Sequence, residues 1–275
     1  MILQFLLFVI LFRDLWILLF STWKQDPDFS YGIFIIIITF FMIWLKKRKQ
    51  KLSFHPPSLK FMLAGWIILF IAFSIYYFAR IIPQVLIMNV CMVITAIILL
   101  MLNMGWDFIK DIKFPLFYLI FIAPPPYTLY RLSTIKLKVL ASIIATGLLK
   151  LMGFKVMREG VLININNKVL LEVIDACSGM RFLLCLFFVS LALSYIVKVH
   201  LYKRILIVAI TIPVAILANS LRIAFGGISN YFLGKVMETK FMHSLEGLFV
   251  YVIGFLIYFW LFKFIVKNAK KRDSV

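Results

Sequence analysis

The sequence predicts an all-α polytopic membrane protein with about eight transmembrane helices, an outer interfacial helix and a small extracytoplasmic β-hairpin. Hydrophobic residues make up 64% of the 275 residues, and the mean hydropathy is +1.05. Soluble domains contain only roughly 45–50% apolar residues. Several apolar runs approach the length of about 20 residues that a helix needs to cross a bilayer. Little of the chain is therefore left for a separate soluble domain.

Positive charge identifies the segments that stay in the cytoplasm. The chain has 30 basic and 11 acidic residues, giving a net charge of +19, which in a soluble protein would suggest nucleic acid. In a membrane protein, Lys and Arg collect in cytoplasmic loops, so we expect no nucleic-acid partner. The densest basic loop is KKRKQK at 46–51. This loop places the N-terminus in the cytoplasm, and eight spans with a basic tail at 263–275 place the C-terminus there too. We therefore expect a multi-pass protein of the cell (inner or plasma) membrane.

Eight apolar runs are predicted to be spans. The first lacks a basic start and a cleavage site, so it is interpreted as a retained helix. It contains Arg13 and Asp14, which are costly in lipid unless they face other helices or each other. The fifth starts at Phe114, after a short inner loop at 107–113, and ends or bends at three consecutive prolines. The predicted spans cover 2–20, 33–45, 61–78, 85–104, 114 to the prolines, 179–197, 205–224 and 246–262.

Two segments in the middle of the chain differ from the spans. Residues 127–152 combine an apolar pattern with four basic residues, which is typical of an amphipathic helix in the outer interface. Two short β-prone runs then meet at Asn166-Asn167 and predict a small hairpin. A hairpin satisfies its own backbone but belongs outside the hydrocarbon, so we expect it above the bilayer.

This topology sorts the residues that could perform chemistry. Cys91 and Cys185 fall inside apolar runs and are interpreted as small buried hydrophobic residues. Three cysteines without regular spacing argue against a disulfide framework or a zinc site, so no metal or cofactor is expected. Cys177, His243 and Arg222 are left on one outer face, which they reach from three different spans.

Cys177 lies just before a predicted helix, in the stretch DACSGMR at 175–181. A helix N-terminus favours a thiolate, and its N–H groups could hold an oxyanion. Gly179 lets a substrate backbone come close. His243 could take the thiol proton or protonate a leaving amine, and Glu246 could orient its ring. The alternatives are a small buried cysteine, an interfacial histidine and a solvated acid at a helix start.

Arg222 is a functional candidate because it lies inside a predicted span. It could stabilise a thiolate or an oxyanion, grip a substrate carboxylate, or simply snorkel to the interface. Arg181, four residues after Cys177, is a rival for the same role. Asp175 could pair with either arginine. Asn219, three residues before Arg222, could support it by hydrogen bonding.

Several motifs, in this order, resemble the exosortase/archaeosortase family of polytopic membrane cysteine transpeptidases. The resemblance covers roughly half of the chain, from about Phe114 to Trp260. Members often have a His-Gly pair near the first outer loop, where this chain has Tyr31-Gly32, so no role for that histidine carries over. The matching elements are IAPPPY (122–127), FKVMREG (154–160), DACSGMR (175–181), ILANSLRI (216–223) and His243 followed by Gly247.

The resemblance implies a function and an organisation. The family's proposed triad of cysteine, arginine and histidine falls on Cys177, Arg222 and His243. The expected substrates are exported, membrane-anchored proteins with a C-terminal sorting signal of short motif, transmembrane helix and basic cluster. After cleavage they pass to an acceptor that the sequence does not identify, with lipids as the surrounding partner. The predicted regions are an N-terminal four-helix membrane region (1–113), an exosortase-like catalytic membrane core (114–262) and a basic cytoplasmic tail (263–275).

A function of another class competes with this hypothesis. A transporter or lipid-binding scaffold would use Arg13, Arg181 and Arg222 as substrate or lipid contacts, with Cys177 non-catalytic. Many transporters are built from repeated halves, and the sequence shows no internal repeat. It also lacks the HExxH and GxSxG motifs, which disfavours a zinc or serine intramembrane protease.

Overall fold

The computed structural model describes residues 2–49, 58–81, 84–173, 178–197, 199–234 and 240–272, without the side chains of 2, 49, 240–246 and 268–272. These residues form helices and one small sheet. Contacts divide the chain into two compact units, Met1–Tyr127 and Thr128–Val275. The elements are α1 (Ile2–Leu11), α2 (Arg13–Gln25), α3 (Tyr31–Lys49), α4 (Leu59–Ile81), α5 (Val85–Met104), α6 (Trp106–Tyr118), α7 (Tyr127–Leu151), β1 (Val156–Glu159), β2 (Leu162–Ile165), β3 (Val169–Glu172), α8 (Met180–Ile196), α9 (Leu201–Ala209), α10 (Thr211–Leu233) and α11 (Lys240–Arg272).

The described helices make this a polytopic membrane protein. Six stretches are long and apolar enough to cross a membrane, or up to seven if the bent pair α1–α2 forms one span. The predicted number of eight is therefore not confirmed. The predicted span at 179–197 corresponds to α8, which is apolar but has only 17 residues. The six stretches are Pro27–Arg48, Leu59–Ile81, Val85–Met104, Tyr127–Leu151, Leu201–Leu233 and Gly247–Lys267.

The predicted fifth span and the loop before it are corrected by the structure. Residues 107–113 do not form a loop, because α6 already begins at Trp106. The helix contains Pro115 and leaves helical geometry at Ile112, where φ is −114° and ψ is 16°. The proline ring clashes with the carbonyl of the fourth residue before it and so bends a helix in the preceding turn. A short 3-10 helix, Leu119–Ile122, then leads to the prolines.

The first unit is built on α4, α5 and α6, which share a buried apolar cluster. The first helix breaks at Phe12, and α1 and α2 meet at 62°. The Phe12 ring is buried and packs edge-on against Tyr76 of α4, with 4.8 Å between ring centroids. Asp14 forms an ion pair with Arg80, also of α4. The acid of the first predicted span therefore faces another helix, one of the two arrangements expected from the sequence.

The second unit is organised around α10, which contributes to two buried apolar clusters. One cluster joins α10 to α8, α9 and α11. The other joins it through Ile223 and Ala224 to α7 and to the sheet. Helix α9 ends at Ala209, four residues before Pro213, as expected for a proline that removes one backbone donor and crowds the carbonyl four residues earlier.

The predicted hairpin is present as strands β2 and β3. They pair antiparallel with Ile165 opposite Val169. Asn166 and Asn167 both have positive φ, of 52° and 56°, and the Lys168 N–H donates to the Ile165 carbonyl. Asn tolerates this left-handed geometry better than most residues. A third strand that was not predicted, β1, pairs with the other side of β2.

Candidate functional site

Arg222 is a buried arginine in the middle of α10. Only 9% of its surface is exposed, and its neighbours Asn219 and Ser220 are buried as well. A buried guanidinium requires hydrogen-bonding or ring partners because burial removes its water. The partners that surround Arg222 therefore define the site.

Two residues of helix α11, Tyr251 and Gly247, contact the guanidinium. Arg222 Nη1 donates a hydrogen bond of 3.1 Å to the Tyr251 hydroxyl oxygen. Arg222 Cζ also lies 5.5 Å from the centre of the Tyr251 ring, within the range of a cation–π interaction. A Cβ atom added at Gly247 would lie only 3.1 Å from Arg222 Nη2. Gly247 thus provides the space that the guanidinium occupies one turn before Tyr251.

Tyr251 is itself fixed by α8. Its ring stacks on Phe182 with 4.8 Å between centroids and an interplanar angle of 2°. Gly254 makes room for this pair, because a Cβ there would lie 2.8 Å from Phe182 Cζ. Helices α8, α10 and α11 are therefore joined by one continuous set of contacts from Phe182 through Tyr251 to Arg222.

The start of α8 contacts α10 one turn before Arg222. Gly179 precedes the helix with a φ of 77°, a left-handed geometry that favours glycine. A Cβ added there would lie 2.7 Å from Asn219 Cγ, so the backbone of Gly179 packs directly on the Asn219 side chain. Ser178 is buried, and its hydroxyl oxygen accepts a hydrogen bond of 3.2 Å from the Met180 N–H.

The predicted site residues fall into three groups. Cys177 and Asp175 lie outside the described residues. His243 and Glu246 belong to α11, but their side chains lie outside the described part of the chain. Gly179, Arg181, Asn219 and Arg222 are described. The single turn of α10 from Asn219 to Arg222 contacts Gly179, directly before α8, and Gly247 and Tyr251 of α11.

The two candidate arginines occupy different environments. Arg181 lies in the first turn of α8 and is exposed, whereas Arg222 is buried among α10 and α11. Both lie near Gly179, Arg181 along the same helix and Arg222 through Asn219. The sequence alone does not reveal that one arginine is exposed and the other is buried.

Tyr251 and Phe182 belong to the site but were not predicted from the sequence. Tyr251 follows Gly247 by four residues, so the two share a helix face. The run FVYVIGF around it contains no other polar side chain that would indicate a hydrogen-bonding partner. A tyrosine in such a run is equally typical of a lipid-facing surface. The available signal was the spacing of Gly247 and Gly254, seven residues apart, which marks a closely packed helix face.

An apolar groove of about 210 Å³ lies beside these contacts, between α7, α10 and α11. Its walls include Leu217, Leu221 and Phe225 of α10, which are exposed. Ala218 and Gly254 lie at its base and allow α10 and α11 to approach each other closely.

Comparison with known proteins identifies the family. The family model described as transmembrane exosortase matches residues 23–260. No match was found among curated proteins or among solved structures. The matched region contains α8, α10 and the part of α11 that carries Gly247, Tyr251 and Gly254. The chain therefore belongs to the transmembrane exosortase family, which is known for membrane cysteine transpeptidases that act in protein sorting.

Proposed function

We propose that this protein is a membrane cysteine protease or transpeptidase that cleaves the C-terminal sorting segment of exported, membrane-anchored proteins. The observation that carries this proposal is the turn of α10 from Asn219 to Arg222. It contacts Gly179, two residues after Cys177, and Gly247, one helical turn after His243. Two residues of extended chain span at most about 7 Å. One turn of α10 thus links the segments that carry the proposed nucleophile, base and oxyanion group.

The proposed reaction is an acyl transfer through a thioester intermediate. Cys177 Sγ, as a thiolate, attacks the scissile carbonyl carbon, and the resulting oxyanion is stabilised by Arg222 and by backbone N–H groups. The C–N bond then breaks, and His243 gives its proton to the leaving amine. The thioester is resolved by an acceptor amine or by water, which loses a proton to His243 as the C–S bond breaks. The free thiolate is thereby restored.

The groove between α10 and α11 is the proposed docking position for the substrate's own apolar helix. It is bounded on one side by the α10 face that includes Leu221, the residue before Arg222. A substrate helix in this groove brings the peptide bond just beyond its end to the level of the site. Docking in this groove would accelerate the reaction by orienting the substrate, even without strong binding, because correct orientation alone lowers a reaction barrier substantially.

The proposed site lies on the extracytoplasmic side. The sheet exposes Glu159 and Glu172 on its outward face, and such residues are costly in hydrocarbon. The opposite face packs on α10 at Gly227, only five residues after Arg222. Arg222 is therefore close to an aqueous interface. Basic residues at 200–204 and 263–267 lie at the ends of α9 and α11 that are opposite the sheet. They favour a cytoplasmic location for those ends.

The proposal is tested by replacing the thiol. In cells that carry Cys177→Ala, exported proteins ending in an apolar helix and a basic cluster are expected to keep that segment. Mass spectrometry of membrane proteins detects the uncut C-terminal peptides. Cys185→Ala is the matched control, because this thiol lies half-buried inside α8. Normal processing in a Cys177→Ala variant that inserts normally would exclude the mechanism.

Labelling of the thiol separates the enzyme from a transporter or scaffold. An impermeant thiol reagent added from outside should modify Cys177, and His243→Ala should slow the reaction because a base is lost. A transporter with an incidental cysteine predicts labelling that is insensitive to His243.

A further inference from the structure

The third strand forms an edge of the small sheet. The strand order is β1-β2-β3, so β3 pairs with β2 on one side only among the described residues. An edge strand presents backbone N–H and C=O groups that can pair with another extended chain. Strand β3 ends at Glu172, five residues before Cys177.

The register shows which groups face the open edge. The Val173 N–H donates to the Val161 carbonyl at 3.1 Å, and Ile163 lies opposite Leu171. Because residues of an antiparallel pair alternate between bonded and non-bonded positions, 169, 171 and 173 direct their backbone groups toward β2. The N–H and C=O groups of Leu170 and Glu172 therefore point to the open side. They form a two-residue repeat, which matches the spacing that an added strand requires.

The two faces of β3 have different environments. Leu171 packs toward α10, where it and Ile165 approach Gly227. This contact ties β3 to the helix that carries Arg222. Leu170 lies on the outward face with 69% of its surface exposed, opposite Asn164 of β2. The open edge thus belongs to a strand that packs on α10, and an exposed apolar side chain lies beside its backbone groups.

We propose that the open edge of β3 binds the extended segment of the substrate next to the scissile bond by β-strand addition; this inference rests on the function proposed above. The backbone groups of Leu170 and Glu172 would provide the main-chain hydrogen bonds. Alternate substrate side chains would meet the face that carries Leu170. Main-chain pairing fixes an extended conformation without requiring a particular sequence, so specificity is left to the alternate side chains.

Site-specific photocrosslinking tests where the substrate lies. A benzophenone side chain replaces Leu170 in the Cys177→Ala variant, in which uncut precursor is expected to accumulate. Met157 is the matched control, because it is 66% exposed on the same face but belongs to β1, the other edge. A crosslink at position 170 to a precursor that retains its C-terminal segment, at least tenfold stronger than at 157, is the expected result.

Proline substitution tests the backbone groups themselves. Leu170→Pro removes an N–H that points to the open edge and keeps the β2–β3 ladder, since proline is tolerated at such edge positions. Loss of one net hydrogen bond should slow precursor processing about tenfold. Arg158→Pro is the matched control. The Asn166 N–H donates to the Lys155 carbonyl, so 155, 157 and 159 direct their backbone groups toward β2. The backbone groups of Arg158 therefore point away from β2, at the opposite edge of the sheet.

The outcomes separate the two proposals. If precursor accumulates in Cys177→Ala but positions 170 and 157 crosslink equally, or both proline variants process alike, the edge proposal is wrong and the catalytic proposal stands. If Leu170→Pro lowers the melting temperature more than Arg158→Pro does, the crosslink alone decides. If no precursor accumulates in Cys177→Ala, the catalytic proposal fails, and the edge proposal fails with it.

Discussion

At the scale of single residues, the position of the Arg222 guanidinium depends on neighbours that can be altered one at a time. The Tyr251 hydroxyl accepts its hydrogen bond, and Gly247 leaves the space that it fills. Phe182 fixes the Tyr251 ring from the other side. A guanidinium held in this way is preorganised, so it can stabilise charge without reorganisation during the proposed reaction.

Tyr251→Phe tests this positioning role. It keeps the ring stack with Phe182 and removes only the hydroxyl acceptor, so the protein should lose about 0.5–1.5 kcal/mol of stability. Processing of the precursor should fall about tenfold if a loosely held guanidinium loses a similar amount of transition-state stabilisation. Tyr202→Phe, at an exposed position on α9, is the control and should change neither quantity.

A double-mutant cycle decides whether Tyr251 acts through Arg222. In an Arg222→Lys background, Tyr251→Phe should cause little further loss of processing, because the bond it removes is already altered. Additive losses in the double variant would show that Tyr251 acts independently of the arginine.

At the scale of elements, the start of α8 is fixed by the contact between Gly179 and Asn219. Two separate physical effects demand glycine there. The backbone is left-handed, with a φ of 77°, and the Asn219 side chain lies where a Cβ would be. A change at this position should therefore shift the whole N-terminus of α8 relative to α10.

Gly179→Ala is expected to destabilise the protein by about 2–5 kcal/mol. About 1–2 kcal/mol comes from the left-handed backbone and about 1–3 kcal/mol from overpacking. Gly153→Ala is the matched control, because Gly153 also has positive φ but its Cβ would meet nothing within 4 Å. Thermal unfolding in detergent measures both. Equal losses would mean that Asn219 yields freely and that packing contributes nothing.

The elements also show what the sequence could predict. The hairpin was predicted correctly because Asn166 and Asn167 are well suited to positive φ. Strand β1 was not predicted because the adjacent charged residues Arg158 and Glu159 interrupt the alternation of apolar and polar residues that indicates a strand. The signal that remained was the turn at Gly160, which has a φ of 61°. The start of α6 was misplaced because Asp107, Lys110 and other charges resemble a loop, although Asp107 and Lys110 form an ion pair along the helix.

The candidate site was only partly predictable for a related reason. Sequence motifs identify both Arg181 and Arg222 as candidates, but only tertiary packing decides that Arg181 is exposed and Arg222 is buried. Tyr251 has no polar neighbour in sequence that would distinguish it from an aromatic residue facing lipid. Long-range contacts between helices carry information that local patterns do not contain.

At the scale of the whole molecule, the side of the membrane occupied by the sheet depends on α7. This helix is long enough to span, yet Ala141, Ala145 and Leu149 pack against the sheet along its second half. A helix covered by the sheet over two turns is not surrounded by lipid there. We therefore expect α7 to lie in the outer interface, as its basic residues predict.

Single cysteines test this arrangement. In a variant with Cys91, Cys177 and Cys185 replaced by Ala, a cysteine at Lys168 should react with an impermeant reagent on intact cells. A cysteine at Lys110 should react only after the membrane is permeabilised. Both positions are exposed in the structure. Protection of position 168 on intact cells, with labelling after permeabilisation, would place the sheet in the cytoplasm and contradict this arrangement.

The contact between Arg222 and Tyr251 has a consequence for biogenesis. The two residues are 29 positions apart, and Tyr251 lies in α11. At synthesis rates of about 5–20 residues per second, the hydroxyl follows the arginine by roughly 1.5–6 seconds. During that interval the α10 arginine lacks the hydroxyl acceptor that it has in the folded protein, and a polar group buried without its partner is costly. Stable insertion of α10 should therefore await α11, so that the newborn chain acquires the contact between Arg222 and Tyr251 only as a late step of synthesis.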